Sequence, residues 1–355
     1  MFYKASIIFL LFFISITMSH YTENFFQFGF VRLKEIIYGH QPYTEARLKC
    51  YPFDKDKWIH PTTLSLAVYG GVQDIFGKNG IDQLFEVLPN YRASKSSDQE
   101  IVCVADILLE RSKTKKVKDL ETRFFEFTTY ESAYNIDPPW VSGLTQSIAG
   151  QVFIAAYLIT ADPVYKNAAI QVANFLLVEV DSGGVLVKLK NDKLWWYEEY
   201  AKKGRNPPFV LNGHILTLDY LYYINYIVDD EIYKIAFRRG VDALVDKIFQ
   251  FQSRFGSYYD LEGNLANVKY HKFHVRQLKR YSIFDTSGVL EKNYKLMKFK
   301  GMFPLATFER LFLQPTKLLM FTVWAWFVSC ALLLLIFSFF RKRINSYISR
   351  SSCKI

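Results

Sequence analysis

Apolar positions recur at three- and four-residue spacing through Leu144, Ile148, Val152, Ala155 and Ile159, which is the period of an amphipathic helix. Asp162-Pro163 then supplies a helix start: the carboxylate satisfies free N–H groups and the proline fits the first turn. A second stripe follows through Ala168, Val172, Phe175 and Leu176, so the two predict an antiparallel helical hairpin. After Gly183-Gly184 the period changes to two, with Val185, Val187 and Leu189 alternating with Lys188 and Lys190 up to Asn191-Asp192. That is the pattern of a β-hairpin, and its outgoing strand is Trp195-Trp196-Tyr197. Helical spacing resumes after Asn212-Gly213 at Leu216, Tyr220, Tyr223 and Ile227, and again at Ile232, Ile235, Leu244 and Ile248. The acids Asp229-Asp230-Glu231 stand at the start of that helix, where the helix dipole favours them. A last helix is predicted over Tyr270 to Tyr281.

Upstream, His60-Pro61 opens a helix carrying Leu64, Ala67, Val68 and Ile75, broken by the glycines after Phe76. The polar stretch Arg92 to Glu100 leads into the apolar run Ile101 to Leu109, and the basic run Arg111 to Lys118 reads as a solvated face. Asp137-Pro138-Pro139-Trp140 is punctuation, because a residue before proline avoids helical angles. No strand-helix-strand alternation occurs. The expected fold is therefore mainly α, an (α/α) toroid of helical hairpins with short β-hairpin excursions, over residues 58–310.

Two apolar stretches lie outside that body. The first, Ala5 to Met18 after Lys4, has the charge and length of a signal peptide or N-terminal anchor (1–18) and is followed by an irregular aromatic lead-in over 19–57, with a loop at Tyr38 to Tyr43. The second, Leu318 to Phe340, contains no charge and ends at Arg341-Lys342-Arg343. A run of about 20 apolar residues spans a bilayer, and a basic flank marks the cytoplasmic side. The expectation is a transmembrane helix at 318–340, a basic cytoplasmic tail at 341–355, and a body on the luminal or outer face.

Composition adds limits. The net charge of +10 owes much to Arg341, Lys342, Arg343, Arg350 and Lys354, which face no acids after Phe340. What remains is mildly basic, compatible with an anionic substrate or a membrane surface, and no basic block with interleaved aromatics argues for nucleic acid. Of four cysteines, Cys330 and Cys353 fall in the span and tail, so a disulfide between Cys50 and Cys103 is permitted but not required. No Asn-x-Ser/Thr acceptor exists in the chain.

Candidate chemistry concentrates in three places: Glu199 with Tyr200 after the hairpin, Tyr258-Tyr259 after Gly256, and Lys269-Tyr270-His271 with His274 and Arg276. With 24 tyrosines in the chain, no single one is informative alone. His271 and His274 share a helical face, but no further ligands stand at matching spacing, so no metal is expected. There is no phosphate loop, dinucleotide fingerprint or serine elbow, and no cofactor is expected. These residues alone describe an aromatic, carbohydrate-like cleft.

The ordered words Trp140-Val141-Ser142 with Gln146, Ala156 to Asp162, Trp196-Tyr197-Glu198-Glu199-Tyr200, Phe209-Val210-Leu211-Asn212-Gly213, Tyr259-Asp260-Leu261, and Tyr270-His271 with His274 and Gln277-Leu278 carry a resemblance. Over roughly two-fifths of the chain it resembles the C-terminal helical domain of the D-glucuronyl C5-epimerase family. The resemblance implies conversion of D-glucuronate to L-iduronate within a heparan- or heparosan-type polysaccharide, with Golgi or extracytoplasmic placement. It implies that Tyr259 and Tyr270 act as acid and base with Glu199 and Tyr200 beside them. It further implies that Asn212, His271, His274, Arg276, Tyr197 and Gln146 bind or orient the uronate. A homodimer is compatible with it. The two-tyrosine mechanism expects one phenol to be driven toward ionisation by a nearby positive charge. Where family members continue Asp-Leu-Arg, this chain has Asp260-Leu261-Glu262, leaving Arg276 or Lys269 as the replacement cation. A uronate lyase, or a non-catalytic polysaccharide-binding subunit, shares the same features.

Overall fold

The computed structural model describes residues 2–38, 60–78 and 96–352. In chain order its elements begin with α1 (Phe2–Tyr38), α2 (Pro61–Lys78) and α3 (Asp98–Arg111), then the strands β1 (Lys113–Val117), β2 (Leu120–Phe124), β3 (Glu126–Phe127) and β4 (Trp140–Val141). There follow α4 (Gly143–Thr160), α5 (Pro163–Leu176), β5 (Leu186–Leu189), β6 (Leu194–Tyr197), α6 (Leu211–Ile227), α7 (Glu231–Lys247), α8 (Val268–Tyr281), α9 (Val289–Lys300), α10 (Leu305–Leu313) and α11 (Lys317–Ser352). The fold is mainly helical, with three two-stranded antiparallel sheets among the described residues.

Short polar side chains set where the helices start, by accepting from N–H groups that have no partner inside the helix. Ser97 and Glu100 form a reciprocal capping box on α3. Ser142 accepts from Thr145 N at 3.2 Å on α4, and Asp162 from Val164 N at 2.9 Å on α5. Asp230 accepts from Ile232 N at 3.0 Å on α7, and Asn267 from Tyr270 N at 3.0 Å on α8. The β5–β6 turn places Lys190, Asn191 and Asp192 all at positive φ, a conformation to which Asn and Asp adapt.

Two helices form the centre. α4 packs on α2, α3, α5 and α6, while α6 also packs on α7 and α8, and α8 on α9. α4 and α6 approach closely because Gly150 leaves room for Tyr220: a Cβ at Gly150 would lie 2.3 Å from the Tyr220 ring. Tyr220 in turn donates to the Ala169 carbonyl at 2.6 Å, binding α6 to α5. Between α6 and α8, Asp219 accepts from Arg280 and, at 2.6 Å, from the Tyr281 hydroxyl. Trp196 stacks between His214 at 3.9 Å and Phe251 at 5.8 Å, which fastens β6 to the core.

Several expectations change. The basic run is largely strand: Lys113–Val117 pairs with Leu120–Phe124 while its lysines stay exposed, so its solvated character is kept but its hairpin is new. α2 continues through Gly77 to Lys78 without a break. The helix over Tyr270 to Tyr281 is not the last before the C-terminal apolar run, since α9 and α10 follow it. Residues 19–38 are helical and continue α1; the remainder of the lead-in, the loop at 39–43 and Cys50 lie outside the described residues, as do 92–95 of the polar stretch. Cys103 is disulfide-bonded. Among the described residues three helices have the length and apolarity to cross a membrane. Of these, Gly143–Thr160 is 72% buried within the protein and is core, whereas Lys317–Arg343 is 17% buried. α1 docks on the α10–α11 side, with Arg310 making two hydrogen bonds to Glu23 at 2.6 and 2.8 Å in a buried pair.

Candidate active site

One wall of the site is the chain that leaves β6 and enters α6. Just past the end of β6 the chain bends at Glu199 and Tyr200, and Glu198 and Glu199 take different partners. Glu198 is fully buried and accepts from Phe209 N at 3.3 Å, and burial pushes its carboxyl well above the usual carboxylate range. Glu199 turns toward α6, where Asn212 Nδ2 donates to its Oε2 at 3.3 Å. Gly213 is required there. A Cβ at that position would lie 2.4 Å from Glu199 Oε2 and 2.6 Å from its Cβ. Tyr200 completes the wall, its ring 4.5 Å from Tyr134 and 5.6 Å from Trp140.

The opposite wall is the 258–264 loop with the first turns of α8. Backbone bonds from Leu211 N to Tyr259 O at 3.1 Å and from Leu261 N to Pro208 O at 2.9 Å lock the two walls together. Asp260 is fully buried and accepts from the Tyr134 hydroxyl at 2.6 Å and from Asn264 Nδ2 at 2.7 Å, holding the loop on which Tyr259 stands. The rings of Tyr259 and Tyr270 meet edge to face at 4.8 Å, and the His274 ring lies 6.5 Å from that of Tyr259. Behind α8, Ser257 Oγ sits 2.9 Å from His271 Nδ1 and 3.0 Å from His274 Nδ1.

Burial dominates the electrostatics. It raises the Glu199 carboxyl to about 8, against the opposing hydrogen-bonding pull of the Tyr200, Tyr259 and Asn212 side chains, while the Glu131 charge adds to the rise. Burial likewise drives Tyr200 and Tyr259 upward, and the Glu199 charge reinforces both shifts. For Tyr259 this runs against the expectation of a phenol pushed toward ionisation: after burial, the strongest influences on it are a carboxylate and other phenols. Lys269 is the cation beside the second phenol, 5.8 Å from the Tyr270 ring centre, and Glu262 is exposed.

Of the ten residues expected in the site, the structure gathers Glu199, Tyr200, Asn212, Tyr259, Tyr270 and His274. It places four others in different roles. Gln146 is buried, with both ends of its amide spent on the Phe125 backbone at 2.8 and 2.9 Å. Tyr197 is fully buried and donates to the Ala236 carbonyl at 3.0 Å. Both ring nitrogens of His271 are engaged, by Ser257 and by the Met297 carbonyl at 3.0 Å. Arg276 is exposed and lies over Phe273, on the side of α8 away from His274. Among the described residues no group of three or more His, Cys, Asp or Glu is placed to hold a metal.

Two contributors escaped the sequence reading. Tyr134 has no periodic or motif signal, and only the fold brings it to Tyr200 and Asp260. Ser257 adjoins Tyr258-Tyr259, and its proximity to them was the available hint.

Comparison with known proteins places this geometry in context. The model of the family described as D-glucuronyl C5-epimerase C-terminus matches residues 119–298, from β2 into α9. An uncharacterized protein of Methanocaldococcus jannaschii is 28% identical over 175 residues, covering 48% of this chain and 54% of that protein. The chain spans about half the length of the curated relative it matches.

Proposed function

This chain belongs to the D-glucuronyl C5-epimerase C-terminal family, and on that premise we propose that it is a uronyl C5-epimerase converting D-glucuronate to L-iduronate within a heparan- or heparosan-type polysaccharide. The observation that carries the mechanism is Glu199: a buried carboxyl raised to about 8, pulled on by the hydroxyls of Tyr200 and Tyr259. Removing the hydrogen at C5, next to a carboxylate, builds an enediolate-like dianion, so the base must accept a proton without adding a second buried charge. Tyr259 takes the C5 proton as it passes its own hydroxyl proton to the ionised form of Glu199, whose share grows as pH approaches 8. Tyr270 delivers a proton to the other face, and solvent restores both groups. No resting phenolate is needed, which agrees with the upward shift of Tyr259. Because the two rings touch, the pyranose meets them at their hydroxyl ends and does not lie between them. Lys269 offsets part of the substrate charge.

The same proposal includes the frame. The pairs α4–α5, α6–α7 and α8–α9 are consecutive hairpins of an (α/α) toroid over residues 58–310. α11 crosses a bilayer through Leu318–Phe340, with Arg341-Lys342-Arg343 in the cytoplasm and the catalytic body luminal, in the Golgi, or extracytoplasmic. The low burial of Lys317–Arg343 supports this.

The test is incubation of the purified full-length protein with desulfated glucuronate polymer, followed by NMR of the recovered polymer. Iduronate signals are expected, without an ultraviolet-absorbing unsaturated product. An unsaturated product identifies a lyase, and binding with neither product identifies a non-catalytic subunit; either result overturns the reading.

A further inference from the structure

The hydrogen positions around Ser257 follow from its neighbours. The Met297 carbonyl only accepts, so His271 Nε2, 3.0 Å away, carries the hydrogen. A neutral imidazole has one N–H, so His271 Nδ1 accepts, and Ser257 donates its single hydrogen to it across 2.9 Å. Ser257 Oγ then offers only lone pairs to His274 Nδ1 at 3.0 Å, so His274 carries its hydrogen there. His274 Nε2 is left as a bare lone pair, buried and without a partner among the described residues. Burial keeps both rings neutral, lowering His274 to about 3 and His271 in the same direction.

Two more acceptors lie in this neighbourhood. Gln277, one turn beyond His274, donates Nε2 to the Asn212 carbonyl at 3.5 Å, which fixes the orientation of its amide and leaves Oε1 without a partner. Asn212 donates Nδ2 to Glu199 at 3.3 Å, and its Oδ1 is also without one. Asn212, Ser257, His274 and Gln277 are each at most 3% exposed. Buried acceptors are costly to leave unsatisfied, so three together call for a partner rich in donors. An acceptor-only cluster repels a carboxylate and suits hydroxyl groups.

We propose that Ser257 is a positioning residue that fixes His274 as the Nδ1–H tautomer, so that His274 Nε2, Gln277 Oε1 and Asn212 Oδ1 together accept the ring hydroxyls of a bound sugar. Naming that sugar as a glucuronate unit rests on the function proposed above; the hydroxyl-accepting subsite itself does not. The uronate carboxylate is recognised elsewhere, on the Lys269 side.

The full-length protein, labelled with ring-15N histidine, tests this by two-bond hydrogen–nitrogen correlation, since only six histidines contribute. His271 and His274 are expected in opposite tautomers, hydrogen on Nε2 and on Nδ1 respectively. A glucuronate-containing tetrasaccharide should move the His274 Nε2 resonance and leave the His271 tautomer as it was. Ser257→Ala should abolish the single tautomer of His274 and weaken the tetrasaccharide Kd roughly tenfold, the effect of about one lost hydrogen bond. Ser257→Thr should restore both. Hydrogen on His274 Nε2 in the unsubstituted protein, unchanged tautomers in Ser257→Ala, or a His274 signal indifferent to the tetrasaccharide would each overturn the proposal. None of these readings needs turnover, so a protein that binds through His274 yet makes no iduronate refutes the epimerase reading alone.

Discussion

Glu199 in the site and Glu23 where α1 meets α10 are both buried carboxylates, and their partners differ in kind. Glu23 faces the Arg310 guanidinium through two parallel hydrogen bonds, a charge neutralised where it stands. Glu199 faces phenols and an amide, and its carboxyl rises to about 8. A guanidinium turns a buried acid into a structural tie; without one, burial makes the acid keep its proton up to about 8 and makes its ionised form the stronger base. The same residue type is therefore a structural tie in one region and, in the proposed mechanism, a proton acceptor in the other.

The largest effect expected is chemical. Tyr259→Phe and Tyr270→Phe should each lower C5 hydrogen exchange by roughly 10²–10⁴, the usual worth of a positioned acid or base, with thermal unfolding unchanged. At the other carboxylate, Arg310→Ala should cost about 3–5 kcal/mol of stability by leaving Glu23 buried and unpaired, without changing exchange per folded molecule. Replacing both, Glu23→Leu with Arg310→Met, should recover most of that loss in a denaturation series. If Arg310→Ala impaired exchange while leaving stability alone, the contrast between the two carboxylates would fail.

Smaller effects sharpen it. Glu199 in the unfolded chain ionises near 4.5, but in the folded protein only near 8. Between those values the folded state holds a proton that the unfolded chain has released, so stability is greatest below the window, falls as pH rises through it and levels off above about 8. The Glu199 contribution should appear as the difference between the unsubstituted protein and Glu199→Gln, which falls as pH rises across this range; buried Glu198 slopes the same way and the buried histidines the other, and both remain in the variant. Gly213→Ala, whose new Cβ would meet Glu199 Oε2 at 2.4 Å, should cost about 1–3 kcal/mol and reduce exchange by displacing that carboxylate.

Local signals in the chain carried most of the frame. Asp162-Pro163, Asp230 and the Val185–Tyr197 alternation lie where their chemistry said they would. The β1 strand was illegible because Lys-Thr-Lys-Lys has no apolar alternation; its pairing comes from β2 and not from its own residues. In the site, Tyr197 and Tyr200 stand three residues apart and look alike in sequence. One is still in the strand and reaches a backbone carbonyl in the core, while the other has left it and packs on Tyr134 beside Glu199. Arg276 is different: helical period alone puts it about 200° around α8 from His274, so its exclusion was already readable. The Ser257 chain was not, since it depends on the Met297 carbonyl from a later helix.

Incubation with a glucuronate polymer in heavy water tests the central claim most directly. The account predicts deuterium at C5 in both glucuronate and newly formed iduronate residues, lost in Tyr259→Phe and in Glu199→Gln. A polymer that binds yet gains no deuterium at C5, or exchange that persists in Tyr259→Phe, would contradict it.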